Sequence, residues 1–148
     1  MSDFSRILAV DPGDKRLGIA ISDLTETIAS PFCVLTHVSR EENALAILSI
    51  AEENEVKLIV IGQAFNWDGE LSYQGRKSAR LAEKIRALGS IPVLLWNEYG
   101  STSAARNARQ MMNVSRKKRA GHLDDLAATV ILQTYLNANS AQSSLEES

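Results

Sequence analysis

The chain has 148 residues, of which 45% are hydrophobic and 23% are charged, a size and composition that predict one folded domain and exclude a disordered chain. Its net charge is −2, so any contact with nucleic acid must come from a local basic patch or from bound metal. The N-terminus lacks the layout of a signal peptide, no apolar run approaches the ~20 residues that cross a membrane, and the one cysteine, Cys33, cannot form an intramolecular disulfide. These features predict a cytoplasmic protein without a membrane segment.

The N-terminal segment has the pattern of three β-strands. Ile7–Val10 is a short apolar run that ends at the turn residues Pro12 and Gly13. A second apolar run, Leu17–Ser22, follows closely, and the two predict an antiparallel hairpin. A third strand is expected around Ser30–Thr36.

The remainder of the chain alternates helical and strand patterns. Arg40–Asn54 carries its apolar residues on one helical face, and Ser39 is its predicted N-cap, with Glu42 completing a capping box. The later predicted elements are the strand Leu58–Gly62, the loop Gln63–Leu71, the helix Ser72–Leu88 ended by Gly89, the strand Ile91–Trp96, the helix Ser101–Met112, the basic loop Asn113–Gly121 and the helix His122–Asn137.

This order of elements predicts an α/β fold. An antiparallel N-terminal meander followed by βα units gives a mixed five-stranded sheet, with parallel strands in its second part and helices on both faces. The sequence contains no repeat and no linker, so residues 1–138 are expected to form a single domain. The Ser- and Glu-rich residues 139–148 are expected to be a flexible tail.

Several acidic residues fall at the ends of predicted elements. Asp11 directly follows the first strand, and Glu98 follows Trp96 by two residues, so both are expected at the carboxyl edge of the sheet, where ligands gather. Asp124 and Asp125 open the last helix, and the helical wheel puts Asp124 closer to the apolar face. Acidic residues at element ends also occur in proteins without a metal site, so the spacing alone leaves both interpretations open.

Carboxylates in one cleft are typical of sites for hard divalent cations. Mg²⁺ and Mn²⁺ prefer oxygen ligands, and clustered carboxylates repel one another unless a cation lies between them. Two such ions, roughly 4 Å apart, suit the hydrolysis of a phosphodiester bond. A basic run, formed by Arg116, Lys117, Lys118 and Arg119, is the expected phosphate-binding patch, although a solvated loop has the same composition. Lys15 and Arg16, in the hairpin turn beside Asp11, are expected to contact the same nucleic-acid backbone.

The run DPGDKRLGIAISD at 11–23 resembles the DxGxKRxGxAxSD segment of the YqgF family. Other segments are similar to that family in the same order: ASP at 29–31, VIG with NWDG between 60 and 69, SRKKR at 115–119, and LDDLAA with ILQTYL between 123 and 136. The resemblance extends from residue 7 to about 137. Members of the family are described as Holliday-junction-resolvase-like proteins and as nucleases for the 5′ end of pre-16S ribosomal RNA.

The resemblance implies a ribonuclease-H-like fold and a metal-dependent nuclease that uses Mg²⁺ or Mn²⁺. It implies catalytic and metal-binding roles for Asp11, Glu98 and Asp124, with Asp124 rather than Asp125 at the family position. The implied substrate is structured nucleic acid, either precursor ribosomal RNA or branched DNA. The sequence leaves open whether the protein is a monomer or a homodimer.

The chain departs from the family pattern next to Glu98. The family has D-E-R where this chain has Asn97-Glu98-Tyr99, and a loop proline is replaced by Ala64. The missing arginine affects the expected catalytic rate more than the fold, because a guanidinium can orient phosphate. A nucleic-acid-binding assembly factor with weak turnover is therefore a second hypothesis. A third arises because the acid–glycine hairpin also resembles the phosphate loop of sugar-kinase and actin-type ATPases, but those proteins need two copies of the domain.

Overall fold

A computed structural model of the chain describes residues 5–63, 70–97 and 123–147, with side chains of the last segment described from 126 to 140. Its strands are β1 (Arg6–Pro12), β2 (Arg16–Ser22), β3 (Ala29–Thr36), β4 (Val56–Gln63) and β5 (Val93–Asn97). Its helices are α1 (Arg40–Glu53), α2 (Tyr73–Leu88) and α3 (Leu123–Glu147). The predicted helix Ser101–Met112 and the predicted basic loop Asn113–Gly121 lie outside the described residues.

The five strands form one mixed sheet in the order β3-β2-β1-β4-β5. The first three strands are antiparallel, with Leu8 opposite Ile21 in the hairpin that β1 and β2 form. The remaining neighbours, β1 with β4 and β4 with β5, are parallel. The structure confirms the predicted mixed sheet, in which an antiparallel meander adjoins parallel strands.

Each face of the sheet is covered by helices. Alternate residues of β1 point to opposite sides, so Leu8 and Val10 pack in a core with α1 and α2, whereas Ile7 and Ala9 pack in a second core with α3. All four of these side chains are almost completely buried. The helices therefore lie on both faces, as predicted, and we refer below to the side covered by α3 as the α3 face.

Serine side chains cap the two helices on the opposite face. The Ser39 hydroxyl accepts a hydrogen bond from the backbone N–H of Glu42 at 3.1 Å, which confirms the predicted N-cap of α1. The Ser72 hydroxyl accepts one from the backbone N–H of Gly75 at 3.0 Å and caps α2 in the same way. Ser72 is thus the cap of α2 rather than its first helical residue.

The last helix is longer than the sequence suggests. We expected it to end at Asn137, but α3 continues to Glu147, so the backbone of 139–147 is helical. The Ser- and Ala-rich composition of that segment has no Gly or Pro that would end a helix. The mobility of residues 139–148 stays a prediction. No helix in the described ranges is long and apolar enough to span a membrane.

Candidate active site

Asp11 lies in β1 near its carboxyl end and is half-buried. Side chains along a strand alternate between the two faces of the sheet, so Asp11 lies on the same side as Ile7 and Ala9. Because those two residues pack against α3, the Asp11 side chain belongs to the α3 face. The strand continues through Pro12, so Asp11 is held by the sheet rather than by the turn that follows it. The backbone of Asp11 is therefore fixed at the edge of the sheet where β1, β4 and β5 end.

Two buried glycines flank Asp11 on the neighbouring strands. Gly18 of β2 is its partner in the antiparallel register. On the other side, Ile61 pairs with Val10, which brings Gly62 of β4 level with Asp11. Because neither glycine has a side chain, the two neighbouring strands place no side chain directly beside the carboxylate on the α3 face. Both glycines occur in the motifs noted above, but their alignment with Asp11 depends on the strand register.

The turn between β1 and β2 is tightly built. The backbone N–H of Gly13 donates to the carbonyl oxygen of Arg16 at 2.8 Å. A Cβ atom at Gly13 would stand only 2.7 Å from that oxygen, so the turn requires glycine for space. The side chains of Lys15 and Arg16 are exposed beside the same edge, and the Lys15 carbonyl accepts the N–H of His37 at 2.9 Å.

Asp14, in the same turn, forms an ion pair and a hydrogen bond with Lys77 of α2. This pairing lowers the pKa of the Asp14 carboxyl. Lys77 joins a helix on one face of the sheet to the turn that follows Asp11. The sequence contained no signal for this contact, because the two residues are 63 positions apart.

Two polar contacts fix α3 on its face of the sheet. The Gln133 side chain accepts the N–H of Ala29 at 2.9 Å and donates to the carbonyl of Thr27 at 3.0 Å, which attaches the helix to the start of β3. The indole N–H of Trp96 donates to the Thr134 hydroxyl at 3.0 Å, which attaches the helix to β5. Neither contact is predictable from local sequence patterns, because each links segments far apart in the chain.

The last two residues of the DxGxKRxGxAxSD segment have structural roles that the pattern did not reveal. The Ser22 hydroxyl accepts the backbone N–H of Ile7 at 2.9 Å. The Asp23 carboxylate accepts the hydroxyl of Thr25 at 2.5 Å and the N–H groups of Thr27 and Ile28 at 2.8 and 3.0 Å. These bonds lower the pKa of Asp23 to about 2, with Thr25 making the largest contribution. Asp23 therefore shapes the β2–β3 turn, at the opposite end of β2 from Asp11.

The predicted site residues fall into two groups. The structure brings Asp11, Lys15 and Arg16 to one edge of the sheet. Glu98 and the basic run Arg116–Arg119 lie outside the described residues, and Asp124 is described only as backbone in the first turn of α3. Among the residues that the structure describes, no three His, Cys, Asp or Glu side chains form a group that could hold a metal ion. The described part of the site thus offers one carboxylate, a donor type that suits Mg²⁺ or Mn²⁺.

The sequence is similar to one well-defined family over almost its whole length. A family model described as "RuvX: Holliday junction resolvase" matches residues 5–138. A protein of Thermoanaerobacter pseudethanolicus, named "Putative pre-16S rRNA nuclease", is 40% identical over 134 residues, covering 90% of this chain and 96% of that protein. A protein of Endomicrobium trichonymphae with the same name is 39% identical over 137 residues, covering 92% of this chain and 98% of that protein.

Solved structures of junction resolvases have a similar fold. RuvC of Thermus thermophilus, in complex with a Holliday junction substrate, superimposes with a TM-score of 0.61 at 15% identity, over 93% of this chain and 96% of that chain. The Holliday junction resolvase of fowlpox virus superimposes with a TM-score of 0.53 at 16% identity, over 90% of this chain and 99% of that chain. At these identities the likeness concerns the fold alone, and it confirms the ribonuclease-H-like architecture.

Proposed function

The chain belongs to the family described as RuvX Holliday junction resolvases, and on that premise we propose that it is a metal-dependent nuclease that hydrolyses phosphodiester bonds in structured nucleic acid. One observation carries the proposal: Asp11 is held at the carboxyl edge of the parallel strands, and the residues level with it on the adjacent strands, Gly18 and Gly62, have no side chains that would cover it. Ligands of open α/β sheets bind at this edge.

The substrate that we propose is the 5′ end of pre-16S ribosomal RNA. Relatives at 39% and 40% identity, aligned over nine-tenths of the chain, are named "Putative pre-16S rRNA nuclease". Branched DNA is the second candidate, because the family model is described as a Holliday junction resolvase. Symmetric cleavage of a four-way junction requires a homodimer, whereas trimming an RNA end can be done by a monomer. A cytoplasmic location is part of the proposal.

We propose that Asp11, Glu98 and Asp124 hold two Mg²⁺ or Mn²⁺ ions. When bound, such ions lower the pKa of a water molecule and stabilise the charge on the leaving oxygen. The sequence position of Glu98 supports its role, because it follows Trp96 by two residues. Trp96 packs on the α3 face, the side of the sheet to which Asp11 also belongs.

The packing of α3 supports a role for its first turn. Asp124 belongs to that turn, and Ala128, about one turn further along the helix, is buried in the same core as Ile7 and Ala9 of β1. The helix therefore packs against the strand that carries Asp11.

Helical periodicity favours Asp124 over its neighbour. Asp124 precedes Ile131 and Tyr135 by seven and eleven positions, which is the spacing of one helical side. Tyr135 packs edge-to-face against Trp96 of β5, with ring centroids 5.3 Å apart. That side of α3 faces the half of the sheet that contains β1, β4 and β5. Asp125 shares its side with Leu132 instead, nearer to Gln133 and its partners in β3.

Phosphate binding is assigned in this proposal to two basic groups. Lys15 and Arg16 are exposed in the turn that follows Asp11. The second group is the run Arg116, Lys117, Lys118 and Arg119. Each cation that neutralises a phosphate releases a counterion, so affinity should fall steeply with salt. Replacing the four residues of the run with alanine should weaken binding and flatten that salt dependence, and an unchanged salt slope would remove the run from the proposal.

The test of function is a cleavage assay with purified protein and Mn²⁺. The substrates are a precursor 16S RNA fragment with its 5′ extension and a synthetic four-way DNA junction. Asp11→Asn should abolish cleavage while circular dichroism shows an unchanged fold. Asp23→Asn is the matched control, because it makes the same chemical change at the far end of the hairpin. This variant should keep its cleavage activity at temperatures where it is folded. Equal cleavage by wild type and Asp11→Asn would refute the catalytic assignment, and cleavage of one substrate alone would decide between RNA and DNA.

A further inference from the structure

The outward side of α2 carries an excess of positive charge. The helix has five cationic side chains and one acidic side chain, Glu83, in a chain whose net charge is −2. Its buried residues define the inner side: Gly75, Ser78, Leu81, Ala82 and Ile85. The opposite side presents a stripe of one aromatic and four basic residues, which we call the α2 basic face: Tyr73, Arg76, Lys77, Arg80 and Lys84.

Within the part of the chain that the structure describes, most of the cations of the α2 basic face have no acidic partner. Lys77 is paired with Asp14. Within residues 5–63, 70–97 and 126–140, no ion pair or hydrogen bond joins the side chain of Arg76, Arg80 or Lys84 to another group. Arg76 and Arg80 are exposed, and Lys84 is half-buried. Three unpaired cations at intervals of four residues form a ridge about 12 Å long. Measured along the axis of a duplex, a ridge of this length spans three to four phosphates of one strand.

The α2 basic face begins at the rim of the candidate active site. The Gln63 side chain, at the carboxyl end of β4, donates to the carbonyl of Gly75 at 3.4 Å, so the first turn of α2 is beside the edge where Asp11 lies. Lys77 extends from the same part of the helix to the turn after β1. From there the ridge leads away from the site, along the side of the domain opposite α3.

An aromatic ring stands at the end of the ridge that is nearer the site. Tyr73 is 63% exposed although it is the first residue of a helix packed on the sheet. The Lys77 ammonium lies over its ring, 5.5 Å from the centroid. An exposed aromatic side chain beside cations is the combination with which proteins stack unpaired bases while they hold the backbone.

The neighbouring helix has the opposite charge. Four glutamates and one arginine are found in α1: Arg40, Glu41, Glu42, Glu52 and Glu53. Since α1 and α2 pack side by side on the same face of the sheet, a polyanion would be repelled from α1 and attracted to α2. The charges therefore favour a polyanion that follows α2 and avoids α1, rather than one that is attracted to the whole domain.

We propose that the α2 basic face is a second contact surface for the backbone of the nucleic acid, along which the substrate extends beyond the candidate active site. The inference rests on the proposed function for its choice of partner. Arg76, Arg80 and Lys84 contact phosphates, and Tyr73 stacks on an unpaired base where the strand leaves the site. An acidic protein segment is the competing partner, and a helix face that simply keeps the protein in solution would bind neither.

The test measures affinity against salt concentration in the Asp11→Asn background, so that the probe stays intact. The probes are a fluorescein-labelled RNA duplex with a 5′ single-stranded extension and a labelled four-way DNA junction. The triple variant Arg76→Gln, Arg80→Gln, Lys84→Gln should lower the slope of log K against log salt by about 0.9 per lost contact on duplex and about 0.7 on single strand. Tyr73→Ala should weaken binding several-fold on the probe with the extension but not on a blunt duplex.

The single variants give a matched comparison. Arg80→Gln and Arg40→Gln remove the same charge from exposed positions of neighbouring helices. The slope should fall for Arg80→Gln, recover in Arg80→Lys, and stay at the wild-type value for Arg40→Gln. Equal slopes for the two glutamine variants, or a wild-type slope in the triple variant, would overturn the inference.

Cleavage by the wild-type protein on the same probes is scored separately from binding. If the protein cleaves but the triple variant keeps the wild-type slope, the α2 assignment fails and the nuclease proposal stands. If the protein binds through α2 but never cleaves, the nuclease proposal fails and the binding surface stands. If neither probe binds at any salt concentration, both are overturned.

Discussion

Lys77 of α2 forms an ion pair with Asp14, in the turn directly after β1. It is the contact by which a helix on one face of the sheet restrains the segment that carries Lys15 and Arg16. The Asp14 side chain is largely exposed and that of Lys77 is half-buried, so water and salt screen the attraction. The pair is therefore better suited to orienting the turn than to stabilising the domain.

Breaking this pair should have a small effect on stability that depends on salt. Lys77→Met and Asp14→Asn should each lower the free energy of unfolding slightly, and the double variant should lose less than the sum, because the two changes remove one interaction. The coupling should disappear in 1 M salt. Urea unfolding of the four proteins at low and high salt measures it, and strictly additive effects at low salt would contradict the pairing.

Asp23 should make part of the protein's stability dependent on acid pH. Its folded-state pKa is about 2, below the ordinary value of 3.8, because the Thr25 hydroxyl and the N–H groups of Ile28 and Thr27 bind the charged form. A lowered folded pKa means that the stabilisation is complete above about pH 5 and is lost as the pH falls through about 2. Wild type should therefore lose more stability between pH 5 and 2 than Asp23→Asn does. Parallel curves for the two proteins in urea titrations at several pH values would contradict this assignment.

Two glycines should respond differently to alanine. At Gly13 the added Cβ would meet the carbonyl oxygen of Arg16 at 2.7 Å, a backbone atom inside a hydrogen-bonded turn. At Gly89 it would meet the Cδ atoms of Leu48 at 2.6 and 3.0 Å, the end of a flexible side chain. Overpacking of this kind costs about 1–3 kcal/mol. Gly13→Ala should be at the upper end of that range and Gly89→Ala at the lower end.

The control for the second glycine is a smaller neighbour. Leu48→Val should lower the free energy of unfolding of the wild-type protein. It should lower that of Gly89→Ala by a smaller amount, because the shorter side chain relieves the clash. Urea unfolding gives all the values needed. A Gly13→Ala protein as stable as wild type would show that the turn adapts, and Leu48→Val effects that are equal in both backgrounds would exclude the clash.

Local sequence patterns predicted most of the architecture. The hairpin of β1 and β2, the N-cap Ser39 and the apolar run 58–62 of β4 are all short-range features, in which neighbouring residues determine the structure. The helix that we predicted to end at Gly89 does end there, but not through a left-handed cap. Gly89 has an extended backbone with φ of −140°, and its missing side chain leaves room for Leu48, which approaches it closely.

The features that escaped prediction are long-range. Lys77 with Asp14, and Gln133 with Ala29, join segments whose proximity only the folded sheet creates. The alignment of Gly18 and Gly62 beside Asp11 likewise depends on strand register, which no periodicity in the sequence encodes. The position of Asp11 at the carboxyl end of β1 was predictable because its motif is contiguous. The role of Glu98 depends on family resemblance, and that of Asp124 on family resemblance together with helical periodicity.

The two aspartates that open α3 offer a direct test of metal binding. They are adjacent in sequence and hence about 100° apart around the helix axis, so only one of them can share the side of Ile131 and Tyr135. A ligand that binds only the folded protein stabilises it by about 2.7 kcal/mol at a hundred times its Kd. Saturating Mn²⁺ should therefore raise the Tm of wild type and of Asp125→Asn, but leave that of Asp124→Asn and Asp11→Asn almost unchanged. A full Mn²⁺-dependent rise in Asp124→Asn, together with none in Asp125→Asn, would assign the ligand to Asp125 and reverse the helical argument.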